Sequence, residues 1–300
     1  MPHTRPSASD WQSISAEMAE RDPVFVVGCH RSGTSVLRAT LGRHPAFRAR
    51  GERSPETRVF AKPRRVFHVL DERGRGLLRY MLGDEEAARA LLDLLGSPDH
   101  WKPGDEVHWI RLYFHFAWAC RGAARGLEKT PRHVFHLDRV FDCFPRARVV
   151  IAIRHPVDVL SSLRKRRRAN EAAGRWPRPG GWQHFGPDEM AEAWSAIAGI
   201  IAERTGRPDS RCHLVRYEAL TADPDASLGE LCRFLGEPYD RDALLEGGAE
   251  ADGGSGTPDN RGPIAHNPKQ WRDWLPEAEA RALEDALEEP MTGLGYARYT

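Results

Sequence analysis

The stretch that most restricts the fold is PVFVVGCHRSGTS, Pro23 to Ser35, where an apolar, β-branched run stops at Gly28 and a second glycine follows at Gly33. A continuous run of that kind suits a strand buried on both faces of a parallel sheet. Behind the loop, SVLRATLGRH places Val36, Leu37 and Leu41 at helical spacing, so a helix opens at Gly33 or Thr34. Strand, glycine loop and helix in this order form an anion seat, because the amides of Arg31 to Ser35 are unpaired at a helix N-terminus where the dipole favours negative charge. A nucleotide triphosphatase loop reads G-x-x-x-x-G-K-[ST], with the Lys reaching the outer phosphates. Gly28 and Gly33 keep that spacing, but Thr34 stands in the lysine position. Arg31 supplies a fixed guanidinium inside the loop instead. No Asp lies at the end of RVVIAIR or in LVRY to hold magnesium, so a metal-free site for a less heavily charged phosphate fits better.

The rest of the chain repeats the strand-to-helix alternation. RVVIAIR, Arg148 to Arg154, reads as a second buried strand, and HPVDVLSSLRKRRR continues it as a helix. Lys129 to Pro145 carries Pro131 as a helix-start signal, CHLVRYEAL (Cys212 to Leu220) reads as a third strand, and Ser227 to Gly236 reads as a helix closed by its glycine. Helices are also expected over Asp84 to Leu95, Val107 to Ala124 and Pro276 to Leu287. This alternation predicts an α/β fold: a P-loop-like three-layer sandwich with a central, mainly parallel sheet flanked by helices. Residues 1–21 are expected to be a tail with a short helix, residues 22–300 one domain, and residues 247–268, rich in Gly, Pro, Asp and Asn, a mobile loop within it.

Charge and cysteine usage narrow the partners. The 44 basic and 43 acidic side chains nearly cancel, so no nucleic-acid partner is expected from the total. No apolar run reaches the roughly 18 residues that cross a bilayer, and MPHTRPSASDW lacks the apolar core of a signal peptide, so a soluble, cytoplasmic protein is expected. The five cysteines, Cys29, Cys120, Cys143, Cys212 and Cys232, are scattered without a C-x-x-C pair, which argues against a disulfide framework and a zinc knuckle.

PVFVVGCHRSGTSVLRATLGRHP resembles the sulfonucleotide-binding loop of the sulfotransferases that use 3′-phosphoadenosine 5′-phosphosulfate (PAPS) as donor, and among their branches is most similar to the tyrosylprotein-type and related bacterial enzymes. The resemblance extends from about Pro23 to Tyr296 through EKTPRHVFHLDRVFDCFPRARVV, VRYEALTADPDASLGELCRFLGEPYD and KQWRDW with LGY. It implies that Arg31, Ser32, Gly33, Thr34 and Ser35 wrap the 5′-phosphosulfate without a metal. It also implies that Arg154, at a strand end, and Ser162, on the next helix, hold the 3′-phosphate. A carboxylate would deprotonate the acceptor hydroxyl: Glu52 matches by counting from Arg31, and Glu56 matches by the wording Glu-Thr-Arg, so both stay open. Lys129, in EKTP, corresponds to the family lysine that contacts the transferring sulfuryl group. Ser255 corresponds by distance from Trp271 to a serine that helps hold that group. Arg261 and Lys269 are candidates for the donor's phosphates, and Tyr217 with Glu218 for the adenine end. The implied products are a sulfate ester and adenosine 3′,5′-bisphosphate, with a small-molecule, glycan or peptide hydroxyl as acceptor.

Other signals have alternative readings. His108 and His115, in an aromatic helix, are rival bases or core histidines, and His133 with His136 has a metal-like spacing without a third ligand. Arg164 to Arg168 reads as a solvated basic face. Gly174 to Met190, with Trp176 and Trp182, reads as a loop that either lids an acceptor or packs on the core. Two other functions stay open: an ATP-dependent small-molecule phosphotransferase and a catalytically silent nucleotide- or polyanion-binding protein.

Overall fold

The structure, a computed structural model, describes residues 22–47, 56–61, 106–120, 122–174, 181–207, 210–246, 264 and 271–300. Among these residues four parallel strands, β1 (Val24–Gly28), β2 (Leu127–Lys129), β3 (Arg148–Ile153) and β4 (Cys212–Arg216), lie in the order β2-β1-β3-β4. Val26 sits opposite both Lys129 and Val150, Gly28 opposite Ala152, and Ile153 opposite Arg216. The β-branched runs form the centre of the sheet because strands covered on both faces need apolar side chains in both directions.

Strand alternation feeds two cores. Phe25, Val27, Val149 and Ile151 join one, with Phe114 and Trp118 of α2 (Glu106–Cys120), Val140 of α3 (Leu137–Cys143), Leu160 of α4 (Pro156–Ala172) and Trp194 of α5 (Pro187–Arg204). Val24, Val26, Val150 and Ala152 face the other, with Leu37 of α1 (Thr34–Leu41) and Leu231 of α7 (Pro224–Leu235). Helix, sheet and helix are thus the three layers expected. α6 (Tyr217–Ala222) follows β4 directly, and α8 (Glu277–Ala286) and α9 (Glu288–Gly293) close the described chain.

The sequence-based boundaries need several corrections. The third strand stops at Arg216, and Tyr217 and Glu218 open a helix whose last turn is tied back by Thr221 Oγ1 donating to the Tyr217 carbonyl at 3.0 Å. Pro131 opens a tight 3₁₀ turn over Pro131–His136, and the α-helix begins at Leu137. The helix expected to reach Ala124 ends at Cys120, and the loop expected through Met190 ends at Gly186, where α5 starts with Pro187 in its first turn. Residues 1–21, the helix expected over 84–95 and nearly all of 247–268 lie outside the described residues.

Strand order locates the ligand edge. In open parallel sheets ligands bind beyond the strand C-termini where the connections reverse direction, which for the order 2-1-3-4 is between β1 and β3. At that point Gly28 has φ +128°, and a Cβ there would stand 2.0 Å from the Ala152 carbonyl oxygen. Any side chain therefore pushes β1 off β3. Gly28→Ala is expected to cost about 3 kcal/mol or more, read as a lowered denaturation midpoint; an unchanged midpoint contradicts the close approach.

Candidate active site

The loop after β1 holds its shape through unusual backbone. Arg31 has φ +66°, a left-handed conformation that costs a non-glycine residue of order 1 kcal/mol. Gly33 has φ +84°, and a Cβ on it would meet the Tyr217 ring at 2.6 Å, so loop and ring pack with no space between them. α1 opens at Thr34, as expected, and among the described residues no backbone carbonyl accepts from the amides of Gly33, Thr34 or Ser35. Those donors and the positive end of the helix dipole make the loop a seat for an anion.

The second motif meets the first directly. Arg31 Nε donates to Ser162 Oγ at 3.1 Å across 131 residues of sequence, joining the loop to α4. Arg154 emerges from the end of β3 with its guanidinium 4.5 Å from the Tyr217 ring centroid and 3.6 Å from the Asp158 carboxylate. Its Nε is buried with no partner among the described residues. A buried charged donor in that state is costly unless a ligand oxygen completes it.

Behind Arg154 is a brace that the sequence reading did not anticipate. Tyr299 Oη donates to Asp158 Oδ2 at 3.2 Å, and its ring stacks on buried His155 with centroids 3.6 Å apart. Glu218 accepts from the His155 amide at 2.8 Å and from Tyr296 Oη at 3.0 Å. Burial, then the Asp158 charge, raises the Tyr299 phenol above its ordinary value, so it remains a donor. Glu218, expected near the adenine end, here ties the start of α4 to the last described segment.

On the other side of the loop, β2 delivers Lys129, whose Nζ donates to Glu56 Oε1 at 3.0 Å. A buried network holds this pair. Thr57 donates its amide to Thr130 Oγ1 at 3.0 Å and its hydroxyl to Glu128 Oε1 at 3.1 Å, while His133 Nδ1 lies 3.2 Å from Glu128 Oε2. Burial alone would raise the Glu128 carboxyl, but His133 and the two threonine hydroxyls outweigh it and hold the group below the ordinary carboxylate range. His133 thus serves Glu128, and among the described residues no group of three or more His, Cys, Asp or Glu side chains could hold a metal ion.

His30, also missed in the sequence, stacks on Trp182 with ring centroids 4.6 Å apart and an interplanar angle of 11°. Burial, the largest effect, lowers its pKa to about 4; Glu56 opposes this, and Arg132, Arg58 and Lys129 add to it. The imidazole is therefore neutral near pH 7. His115 packs between Trp118 and Phe144 in the core, and the side chain of His108 lies outside the described residues. In the basic run, Arg164 pairs with Glu279, Arg167 with Glu171 at 2.8 Å, and Arg168 lies over Trp274. Cys29, Cys143, Cys212 and Cys232 are free and buried, and burial pushes the Cys29 thiol up to about 12.

The structure thus brings Arg31, Ser32, Gly33, Thr34, Ser35, Lys129, Glu56, Arg154, Ser162 and Tyr217 to one edge of the sheet. Glu52, Ser255, Arg261 and Lys269 lie outside the described residues.

The parallel α/β sheet thus carries helix-start amides and flanking cations at its switch point. The profile of the sulfotransferase family matches residues 23–241, and the chain belongs to that family. The Nodulation protein NoeE of Sinorhizobium fredii is 25% identical over 238 residues, covering 75% of this chain; the chain matches about half, 52%, of that relative's length. The sulfotransferase domain of the Synechococcus PCC 7002 olefin synthase superposes with a TM-score of 0.59 at 22% identity, covering 92% of this chain and 96% of that one. The sulfotransferase domain from the curacin biosynthetic pathway gives 0.57 at 18% identity, covering 92% and 98%. These likenesses show the fold.

The buried network sets a pH dependence. A carboxyl whose folded pKa is depressed contributes stability above its unfolded pKa and loses it as pH falls through the folded one. Glu128→Ala is expected to cost about 3 kcal/mol near pH 7, with the difference from the parent shrinking as pH falls below the ordinary carboxylate range. Denaturant titration across that range checks it, and a constant difference contradicts it.

Proposed function

We propose that the chain transfers the sulfuryl group of PAPS to an acceptor hydroxyl, releasing a sulfate ester and adenosine 3′,5′-bisphosphate. The observation that carries this reading is the Arg31–Ser162 hydrogen bond, because it joins the loop to the helix that follows Arg154, which supports a seat for two phosphates. PAPS, when bound, supplies the sulfuryl group and leaves as the bisphosphate.

The amides of Gly33 to Ser35 and the Arg31 guanidinium hold the 5′-phosphosulfate, with Ser32 and Thr34 completing the loop. Arg154 and Ser162 take the 3′-phosphate; the unpartnered Arg154 Nε supports this, and Asp158 and the Tyr217 face fix the guanidinium plane. Tyr217 also packs against Gly33, so one ring spans both phosphate seats. Arg261 and Lys269 remain candidates for the donor's phosphates, and Ser255 for the sulfuryl group.

Glu56 accepts the acceptor's proton, and Lys129 faces the bridging oxygen. The acceptor's O–S bond forms as the S–O bond to the 5′-phosphate breaks, and that electron pair leaves with the bisphosphate, where the lysine charge offsets it. The contact of Glu56 with Lys129 at the sheet edge supports it as base, and Glu52 is the alternative. Magnesium-dependent ATP hydrolysis is disfavoured, because Thr34 stands where a phosphate-binding lysine would be.

Calorimetric titration with adenosine 3′,5′-bisphosphate in EDTA is expected to show binding, weakened about tenfold or more by Arg154→Ala. No binding, or binding indifferent to that change, overturns the donor assignment. Glu56→Ala is expected to lower kcat about 100-fold or more while leaving bisphosphate affinity within about twofold of the parent. Full activity in that variant, with loss in Glu52→Ala, moves the base to Glu52.

A further inference from the structure

Beside the loop is a cavity of about 140 Å³ that the donor chemistry does not use. Cys29 and His30 form the end next to the anion seat, and Trp182, Phe185, Met190 and Ile197 form its walls. Its lining is overwhelmingly apolar, and Arg132 with exposed Phe135, both on the 3₁₀ turn after β2, also line it.

We infer that this cavity seats the acceptor, and that the acceptor is a phenol of one ring, laid against the Trp182–His30 stack with its hydroxyl toward the loop. The inference rests on the sulfotransferase reading and adds the substrate class to it. Size is the first argument: an apolar cavity of roughly 150 Å³ accommodates one benzene ring. Polarity is the second. A sugar ring brings several hydroxyls, and each one buried without a partner costs about 1–3 kcal/mol, whereas a phenol brings one polar group, the one that reacts.

The stack itself is the third argument. His30 is neutral over the whole physiological range, so the stack itself carries no charge, and the paired rings offer a flat face of the kind aromatic ligands prefer. Gly28 to His30, which line the pocket, run directly into Arg31 to Ser35 of the anion seat, so a ring filling the cavity lies beside that seat. Trp182 is thereby a specificity-determining residue. It comes from the Pro/Gly-rich segment before α5, where the chain is free to vary without disturbing the sheet.

A free phenol and the tyrosyl ring of a peptide share this chemistry. The test uses 4-ethylphenol, a pentapeptide with a central tyrosine, and methyl glucoside, each with the bisphosphate-loaded full-length chain by ligand-observed NMR and then with PAPS for turnover. Binding and sulfation of 4-ethylphenol ahead of the peptide assign a free phenol; the reverse order assigns a tyrosyl side chain. Trp182→Ala is expected to weaken 4-ethylphenol about fivefold or more, and Ala193→Phe, which fills the cavity from α5, to abolish its binding. Bisphosphate affinity is expected to stay at the parental value in both variants. Sulfation of methyl glucoside in preference to both phenols, or phenol binding indifferent to both substitutions, overturns the inference. Bisphosphate binding without phenol binding overturns this pocket assignment alone, whereas loss of bisphosphate binding in the parent overturns the donor reading.

Discussion

The close approach of β1 to β3 at Gly28 is the contact on which the site depends. With no side chain there, the chain leaves the sheet directly over Ala152, and its amides gather at the switch point between the two strands. The same contact sets Arg154, two residues beyond Ala152, beside the loop. Arg31 in a left-handed conformation then reaches Ser162, and Gly33 accepts the face of Tyr217. Three successive steric requirements thus bring the loop, Arg31 and Arg154 together at one edge of the sheet.

Two braces hold the seats from opposite sides. Beyond β3, Asp158, Tyr299, His155 and Glu218 fix the shelf under Arg154 with hydrogen bonds and a ring stack. Beyond β2, Glu128 gathers Thr57, Thr130 and His133 and so holds Glu56 against Lys129. Both braces are polar, the Glu128 one buried and the Asp158 one partly so, an arrangement whose stability depends on every member being satisfied. Preorganised charges of this kind stabilise a transition state without reorganising as it forms.

The legible parts of the fold were those with a local physical signature. The runs PVFVV and RVVIAIR announce buried parallel strands, and the two glycines announce the loop, because those requirements act within a few residues. β2 was not legible: Leu127–Lys129 has three residues, and its pairing comes wholly from β1. Tyr217 read as strand because it follows LVR without a break, while the helix it opens is tied by a bond that appears once the chain has turned. In the site, the glycine loop was readable from spacing, whereas the Arg154–Ser162 pair entered only through the family resemblance. The Glu128 network and the Tyr299 brace join residues 71 and 141 positions apart, and no local pattern announces such contacts. The stack of His30 on Trp182 gives the segment before α5 a place in the pocket that its composition left open.

The central claim is that one site recognises two phosphates on one nucleotide, the loop holding the 5′ group and the Arg154 shelf the 3′ group. Comparing the affinities of adenosine 3′,5′-bisphosphate and adenosine 5′-monophosphate for the same metal-free protein tests it most directly. The account predicts a preference of about 100-fold or more for the bisphosphate, the worth of a second charge-assisted phosphate seat. Equal affinity for the two nucleotides would contradict it.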